Sequence, residues 1–267
     1  TDSIAPEQIP YLGLLKSVLG YVDTENYTYG ELFNEINANT GGINCGVEVF
    51  DRADSTEEFQ AMFSVRGKAL YTKMDFLFKM IGEILNSSKL EDTKRLYEIV
   101  ASVKSRAQVN LTGAGHSTAV LRAAAYSSPM AAFQDEMAGI GYYQFIEKLE
   151  KDFEQRKEET VEELCKLMKE ILRPENFMIS YTGERESLEI VQKLAGAVKA
   201  GLGTEPVEKS KEKLTCTKKN EGFKTSGQVQ YVAQTGNFKK KGLEYTGALE
   251  ILKVILSYDY LWMNLRV

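Results

Sequence analysis

Histidine is nearly absent: 267 residues contain one, His116. A Ser-His-Asp triad needs only one, but the usual catalytic zinc sites draw on two or three. Cysteine is scarce as well. Cys45, Cys165 and Cys216 lie far apart, with no C-x-x-C spacing. That excludes a disulfide framework and a zinc ribbon, and it fits unpaired thiols in a reducing, cytoplasmic compartment. An excess of basic charge is missing too. The 33 Lys and Arg stand against 38 Asp and Glu, a net charge of −5, which leaves no footprint for nucleic acid or anionic lipid. Charged residues interrupt every apolar stretch well before the ~18 residues that a membrane span needs. No basic region ahead of an apolar run reads as a signal peptide. With 21 Gly and 5 Pro the chain is neither collagenous nor of low complexity. What remains is a chain 43% hydrophobic and 27% charged, long enough for one large or two modest globular domains.

Both ends read as cut. The chain opens without methionine on a helix start, Asp2-Ser3 ahead of Pro6 and Pro10. It closes on Tyr258-Asp259-Tyr260-Leu261-Trp262, which continues the apolar periodicity of Leu249, Leu252, Ile255 and Leu256 without a stop signal. The expectation is an excised middle of something larger.

Leu12, Leu15, Val18 and Leu19 recur at three and four, which predicts a helix over roughly residues 7–22. Leu32, Phe33 and Ile36 predict a second, broken by Asn39-Thr40-Gly41-Gly42. Ile43, Cys45, Val47 and Val49 alternate with smaller or polar residues, and Phe59, Ala61, Phe63 and Val65 alternate again across a short polar loop. This is the pattern of an antiparallel hairpin. Helices follow around Phe76–Leu85 and Leu96–Val103, then a small-residue stretch over 113–132. One long helix is predicted from Tyr142 to Leu172; its other face carries nine acidic and six basic residues between Glu147 and Glu170, a solvated charged face. Phe177, Ile179 and Tyr181 read as a strand, and Leu188–Val198 as a helix. Residues 203–225 read as a linker, with six lysines against three glutamates from Glu208 to Lys224, an excess too small to suggest nucleic acid. Val229, Tyr231 and Ala233 then predict a strand, and a helix follows from about Leu243. Tyr245, Gly247 and Leu249 on that helix echo Tyr11, Gly13 and Leu15 on the first, which suits a second domain opening like the first.

Candidate chemistry is sparse. His116 sits in Gly113-Ala114-Gly115-His116-Ser117-Thr118. No G-x-S-x-G elbow frames a triad, and the position suits a residue that caps or packs at a helix start. Gly113-Ala114-Gly115 lacks the third glycine of a dinucleotide fingerprint. Cys45 and Cys165 fall on apolar faces as inert core thiols, and Cys216 lies in the linker. Tyr142-Tyr143 after Gly139-Ile140-Gly141 reads as core.

Several segments taken in order resemble one family. They are Thr40-Gly41-Gly42-Ile43, Gly67-Lys68-Ala69-Leu70, Gly115-His116, Gly139-Ile140-Gly141-Tyr142, and Leu256-Ser257-Tyr258-Asp259-Tyr260-Leu261-Trp262 with Leu265-Arg266-Val267. Over nearly the whole chain this set is similar to the presequence-protease branch of the pitrilysin/insulinase zinc metallopeptidases. The resemblance implies an α+β, helix-rich fold, an antiparallel sheet packed with helices in a pitrilysin/LuxS-like metallohydrolase domain. It implies a third-domain-like unit over residues 1–202 that lacks its opening strand, a linker over 203–225, and the first strand and helix of a truncated fourth domain over 226–267. In the family two halves close around a peptide chamber, and zinc sits on an H-x-x-E-H helix that this sequence does not contain. The resemblance thus implies a segment without catalytic or metal-binding residues of its own and with no cofactor. Zinc belongs to the intact parent, and the partners are the remaining parent domains and an oligopeptide, with no nucleic acid and no membrane. Arg266 matches the family arginine that reaches the substrate. A stand-alone interaction or scaffold protein is the alternative.

Overall fold

The computed structural model describes residues 4–52, 54–207, 214–225 and 228–265. It is helix-rich with one two-stranded antiparallel sheet, an α+β architecture. At its centre is α1 (Ile9–Val18), whose sequence is apolar nearly all round and which is accordingly buried all round. A single core cluster gathers Leu12, Leu14, Leu15 and Val18 with side chains from most of the chain as far as Val198. Gly13 is what lets α1 approach so closely: a Cβ there would stand 2.5 Å from the Met137 carbonyl oxygen and 2.8 Å from the Tyr142 ring.

Thr28 and Glu31 form a reciprocal capping box that starts α2 (Tyr29–Asn39). The hairpin follows as β1 (Ile43–Asp51) and β2 (Phe59–Gly67), with Cys45 opposite Val65 and Val47 opposite Phe63. Two of the segments that carry the resemblance meet at its open end. The Gly41 N–H donates to the Lys68 carbonyl at 2.6 Å, Lys68 N–H donates to Gly42 at 3.2 Å, and Gly42 adopts φ = 108°, which favours glycine. The sheet packs on α3 (Met74–Ser87), on α1 and on α6 (Pro129–Ala138), while α4 (Thr93–Gly113) is capped by the Asp92 side chain. The small-residue stretch folds into α5 (Gly115–Ala125) and the first part of α6, which is capped by Ser128 with Pro129 in its first turn.

The predicted long helix is two helices, α7 (Ile140–Lys151) and α8 (Phe153–Ile171), broken at Asp152 (φ −102°, ψ 16°). Phe153 is fully buried and meets the Tyr97 ring at 5.3 Å. The break lets α7 lie along α4 while α8 lies along α1. The apolar stripe runs through the break almost in phase, so periodicity did not reveal it.

The expected strand at residues 177–181 does not form. Met178 and Ile179 are exposed, and no chain pairs with the segment among the described residues. A strand exists only by pairing, and alternation without a neighbour leaves coil. The expected strand at 229–233 fails for the same reason, with Val229 and Val232 exposed. Helix α9 (Leu188–Ala200) packs on α3. Within 203–225 the described residues are irregular, but Leu214 packs against the core. The described chain closes with α10 (Gly247–Ile255), a π turn over Leu256–Tyr260, and α11 (Leu261–Leu265).

Candidate functional site

An open groove of 1610 Å³ runs between the end of α4, the outer faces of α5 and α7, and residues of 218–225 and 228–241. Arg122 sits on its floor. It is the one Lys, Arg, Asp or Glu in the small-residue stretch 113–132, and its side chain is only 15% exposed. One edge of the guanidinium faces inward, where Nη1 donates to Asp135 Oδ2 at 2.6 Å. The Asp135 carboxylate, 1% exposed, also accepts the backbone N–H groups of Ile140 at 3.0 Å and Gly141 at 3.1 Å. It therefore caps the start of α7, where amide donors and helix dipole both favour an anion. The glycines of Gly139-Ile140-Gly141 make room for it. A Cβ on Gly139 would lie 2.3 Å from Asp135 Oδ1, and one on Gly141 would lie 2.9 Å from Oδ2.

The other edge of Arg122 faces the groove and holds Glu221 side-on. Nε donates to Oε2 at 2.8 Å and Nη2 to Oε1 at 3.3 Å. Tyr126 donates its hydroxyl to Glu221 and accepts from Arg122 Nε at 3.2 Å. Burial works against the charge on Arg122, but its bonds to Glu221 and Asp135 more than offset this and raise its pKa. The Arg122 bond in turn holds the Glu221 carboxyl below the usual range. Burial, with Asp135 nearby, raises the neighbouring Glu136 carboxyl. The arrangement can fix a carboxylate; it offers no nucleophile with an adjacent base.

His116 is exposed at the start of α5, with its ring 6.3 Å from that of Tyr231. The Tyr231 ring lies against Gly115, where a Cβ would stand 2.4 Å away, so the Gly115-His116 segment serves packing. Tyr142 is buried in the core, as its sequence context implied, and burial pushes its phenol up. Burial pushes the Cys45 thiol up to about 12 and raises those of Cys165 and Cys216; all three are free and half-buried. Arg266 lies outside the described residues. Sequence reasoning missed Arg122, Asp135 and Glu221. The available signal was a lone arginine amid alanines, followed by an aspartate just ahead of a G-x-G turn.

A second feature is the helix from Gly247 to Leu265. Ile251, Ile255, Tyr258, Leu261, Trp262 and Leu265 are all exposed, and only Leu249 in this span is even half-buried. No helix among the described residues is long and apolar enough to cross a membrane.

Comparison with known proteins places the sequence in a family. The family model described as peptidase M-16C associated matches residues 1–149, more than half of the chain. Protein HypA of Clostridium perfringens is 35% identical over 267 residues, all of this chain and 27% of that protein. Presequence protease 1, chloroplastic/mitochondrial, of Arabidopsis thaliana is 26% identical over 99% of the chain and 24% of its own length. The mitochondrial presequence protease of Yarrowia lipolytica is 26% identical over 99% of the chain and 27% of its own length. The chain spans about a quarter of the length of these curated relatives. Homologous to presequence proteases along nearly its whole length, this chain belongs to the peptidase M-16C associated family.

Proposed function

We propose that this chain is a non-catalytic segment of a longer zinc-dependent metallopeptidase that degrades oligopeptides, and that it forms part of the wall of a closed peptide chamber. The observation that carries the reading is the uncovered apolar helix from Gly247 to Leu265, in a chain that aligns with only a quarter of each presequence protease. An exposed apolar surface of that extent marks an interaction site, and the remaining domains of the longer protein are its partner. Residues 1–202 form the third-domain-like unit, 203–225 the linker, and 226–267 the opening of the fourth domain.

The residues present do not fit a zinc ion. Among the described residues no group of three or more His, Cys, Asp or Glu is placed to hold a metal. The metal belongs to another part of the longer protein. This chain contributes Arg266, whose planar fork of donors suits a peptide carbonyl or carboxylate. The three unpaired thiols suit a reducing cytoplasm.

The test is turnover of a fluorogenic oligopeptide by the longer protein. Turnover abolished by a chelator, and lowered about 10²–10³-fold by Arg266→Ala with zinc content unchanged, supports the reading. If Arg266 anchors only the ground-state substrate, KM rises with kcat nearly intact, which also gives it a substrate role. Unchanged kcat/KM in Arg266→Ala removes that role. Peptide turnover by this chain alone overturns the non-catalytic assignment, and a scaffold without activity is what inactivity of the longer protein, with zinc supplied or withheld, would indicate.

A further inference from the structure

We infer that Arg122 is the carboxylate receptor of a binding site for acidic peptides in the groove of α4, α5 and α7, and that Glu221 is its built-in competitor. The inference rests on the reading above only in taking the ligand to be a peptide.

The receptor is preorganised. Asp135 holds the inner edge of the Arg122 guanidinium, and the α7 backbone N–H groups and the close-fitting Gly139 and Gly141 hold Asp135 in turn. A guanidinium fixed along one edge presents its other edge in a set plane, ready for a side-on carboxylate. The Glu221 carboxylate seated there shows that the fork accepts one in that geometry.

Glu221 is cheaply displaced. It arrives on residues 214–225, which form no helix or strand, and those from Thr217 to Thr225 are exposed along the chain. Lifting such a segment breaks no secondary-structure ladder, so an incoming carboxylate needs to outcompete the Arg122 pair, a longer pair to Lys219 at 3.9 Å on the same segment, and the phenol of Tyr126.

The surroundings select for negative charge. With Glu221 displaced, the groove keeps Arg122, Lys241 and Lys240, the last paired with Glu57 at 2.6 Å, against Glu147, while Lys218, Lys219 and Lys224 ride on the same segment as Glu221 and lose its charge from their midst. An excess of one sign concentrates the opposite charge. The groove's 1610 Å³ exceeds the ~300–1,000 Å³ of small-molecule pockets, which fits a ligand of several residues. Phe223 lies 5.7 Å from the guanidinium and Tyr126 5.6 Å, which gives apolar faces beside the charged fork. The ligand is therefore an extended peptide with acidic side chains, one of them on Arg122.

The experiment measures binding of fluorescein-labelled hexaglutamate to the longer protein by anisotropy, with zinc stripped so that nothing is hydrolysed. Glu221→Gln weakens the competitor, and the affinity should rise about tenfold, as expected when a site closed nine-tenths of the time is opened. Adding Arg122→Lys keeps the charge but loses the fork, and should cancel that gain. Binding of labelled hexalysine should be the same with Glu221 and with Glu221→Gln. Unchanged or weaker hexaglutamate binding in Glu221→Gln overturns the inference even if the Arg122 variant fails to fold. An equal gain in hexalysine binding on Glu221→Gln overturns it as well. Binding is read without turnover, so failure here with chelator-sensitive peptidase activity intact removes only the Arg122 site. Acidic-peptide binding by a longer protein without peptidase activity leaves the site standing and removes the peptidase reading.

Discussion

Two apolar helices of this chain share a Tyr-x-Gly-x-Leu spacing and meet opposite surroundings. In α1, Tyr11, Gly13 and Leu15 are all buried, and Gly13 is pressed against Met137 and Tyr142. In the C-terminal helix Tyr245 is exposed, Gly247 has nothing within 4 Å, and Leu249 is only half-buried. Even the hydrogen bonds follow the contrast. The Tyr11 hydroxyl donates to Glu159 across the fold, whereas the Tyr245 hydroxyl, just ahead of the C-terminal helix, donates only to Glu250 in that helix's first turn. Pattern alone therefore tells how a helix is to be packed, and tertiary context decides whether packing is supplied. The C-terminal helix has the composition of α1 without its cover.

The largest expected difference between the two is in their response to truncation. Leu15→Ala, at a site with no exposure, should destabilise the chain by ~2–5 kcal/mol through lost burial and a residual cavity. Ile255→Ala, at a site 50% exposed, should change it by less than ~0.5 kcal/mol. Urea unfolding of both variants reads the contrast. Equal losses would mean that Ile255 is packed in this chain and would abolish the comparison.

The glycines give the next effect. Gly13→Ala places a methyl group against a backbone carbonyl that cannot swing away, and should cost ~1–3 kcal/mol. Gly247→Ala enters open space at the start of α10 and should stabilise by ~0.4–1 kcal/mol through the unfolded chain. Opposite signs in thermal unfolding sharpen the contrast; the same sign in both breaks it.

The smallest effect is electrostatic. Bonds from Arg156 and Tyr11, opposed by some burial, hold the Glu159 carboxyl down at about 2, against an ordinary 4.5. A folded-state pKa depressed in this way means stabilisation present above pH ~4.5 and lost as the pH falls towards ~2. Glu159 is 52% exposed, so the contribution is screened and stays below ~1 kcal/mol. Glu159→Gln should flatten the acid limb of the stability curve between those two values by losing up to ~1 kcal/mol above pH ~4.5, and leave stability near pH 2 almost unchanged. An acid limb identical to that of the wild type would show that the network does not tie α1 to α8.

How much of this was legible beforehand depended on whether the signal was local. The hairpin was, because the alternation of Cys45, Val47 and Val49 against Ala61, Phe63 and Val65 sets both strands and their pairing. The buried face of α1 was legible from its period, and the broad α+β class was what the family resemblance implied. The break at Asp152 was not, because it has no Gly or Pro and leaves the stripe in phase; only the pull of Phe153 into the core shows it. The strands expected at 177–181 and 229–233 had correct alternation but no partner, and pairing is not a local property. The Arg122 cluster joins residues up to 99 positions apart, so its members read singly as surface charge. Around Gly139-Ile140-Gly141-Tyr142 the sequence pointed only to core aromatics, and the clearance that the glycines give Asp135 emerges only in three dimensions.

The apolar helix from Gly247 to Leu265 is, on this account, a contact surface for the rest of a longer protein. Amide hydrogen exchange over this span, compared between this chain alone and the longer protein, tests that most directly. The account predicts rapid exchange in the chain alone, where the span is exposed, and exchange slowed by at least about 10²-fold in the longer protein, where packing must open first. Equally rapid exchange in both would contradict it, because the helix would then remain uncovered where its partners are present.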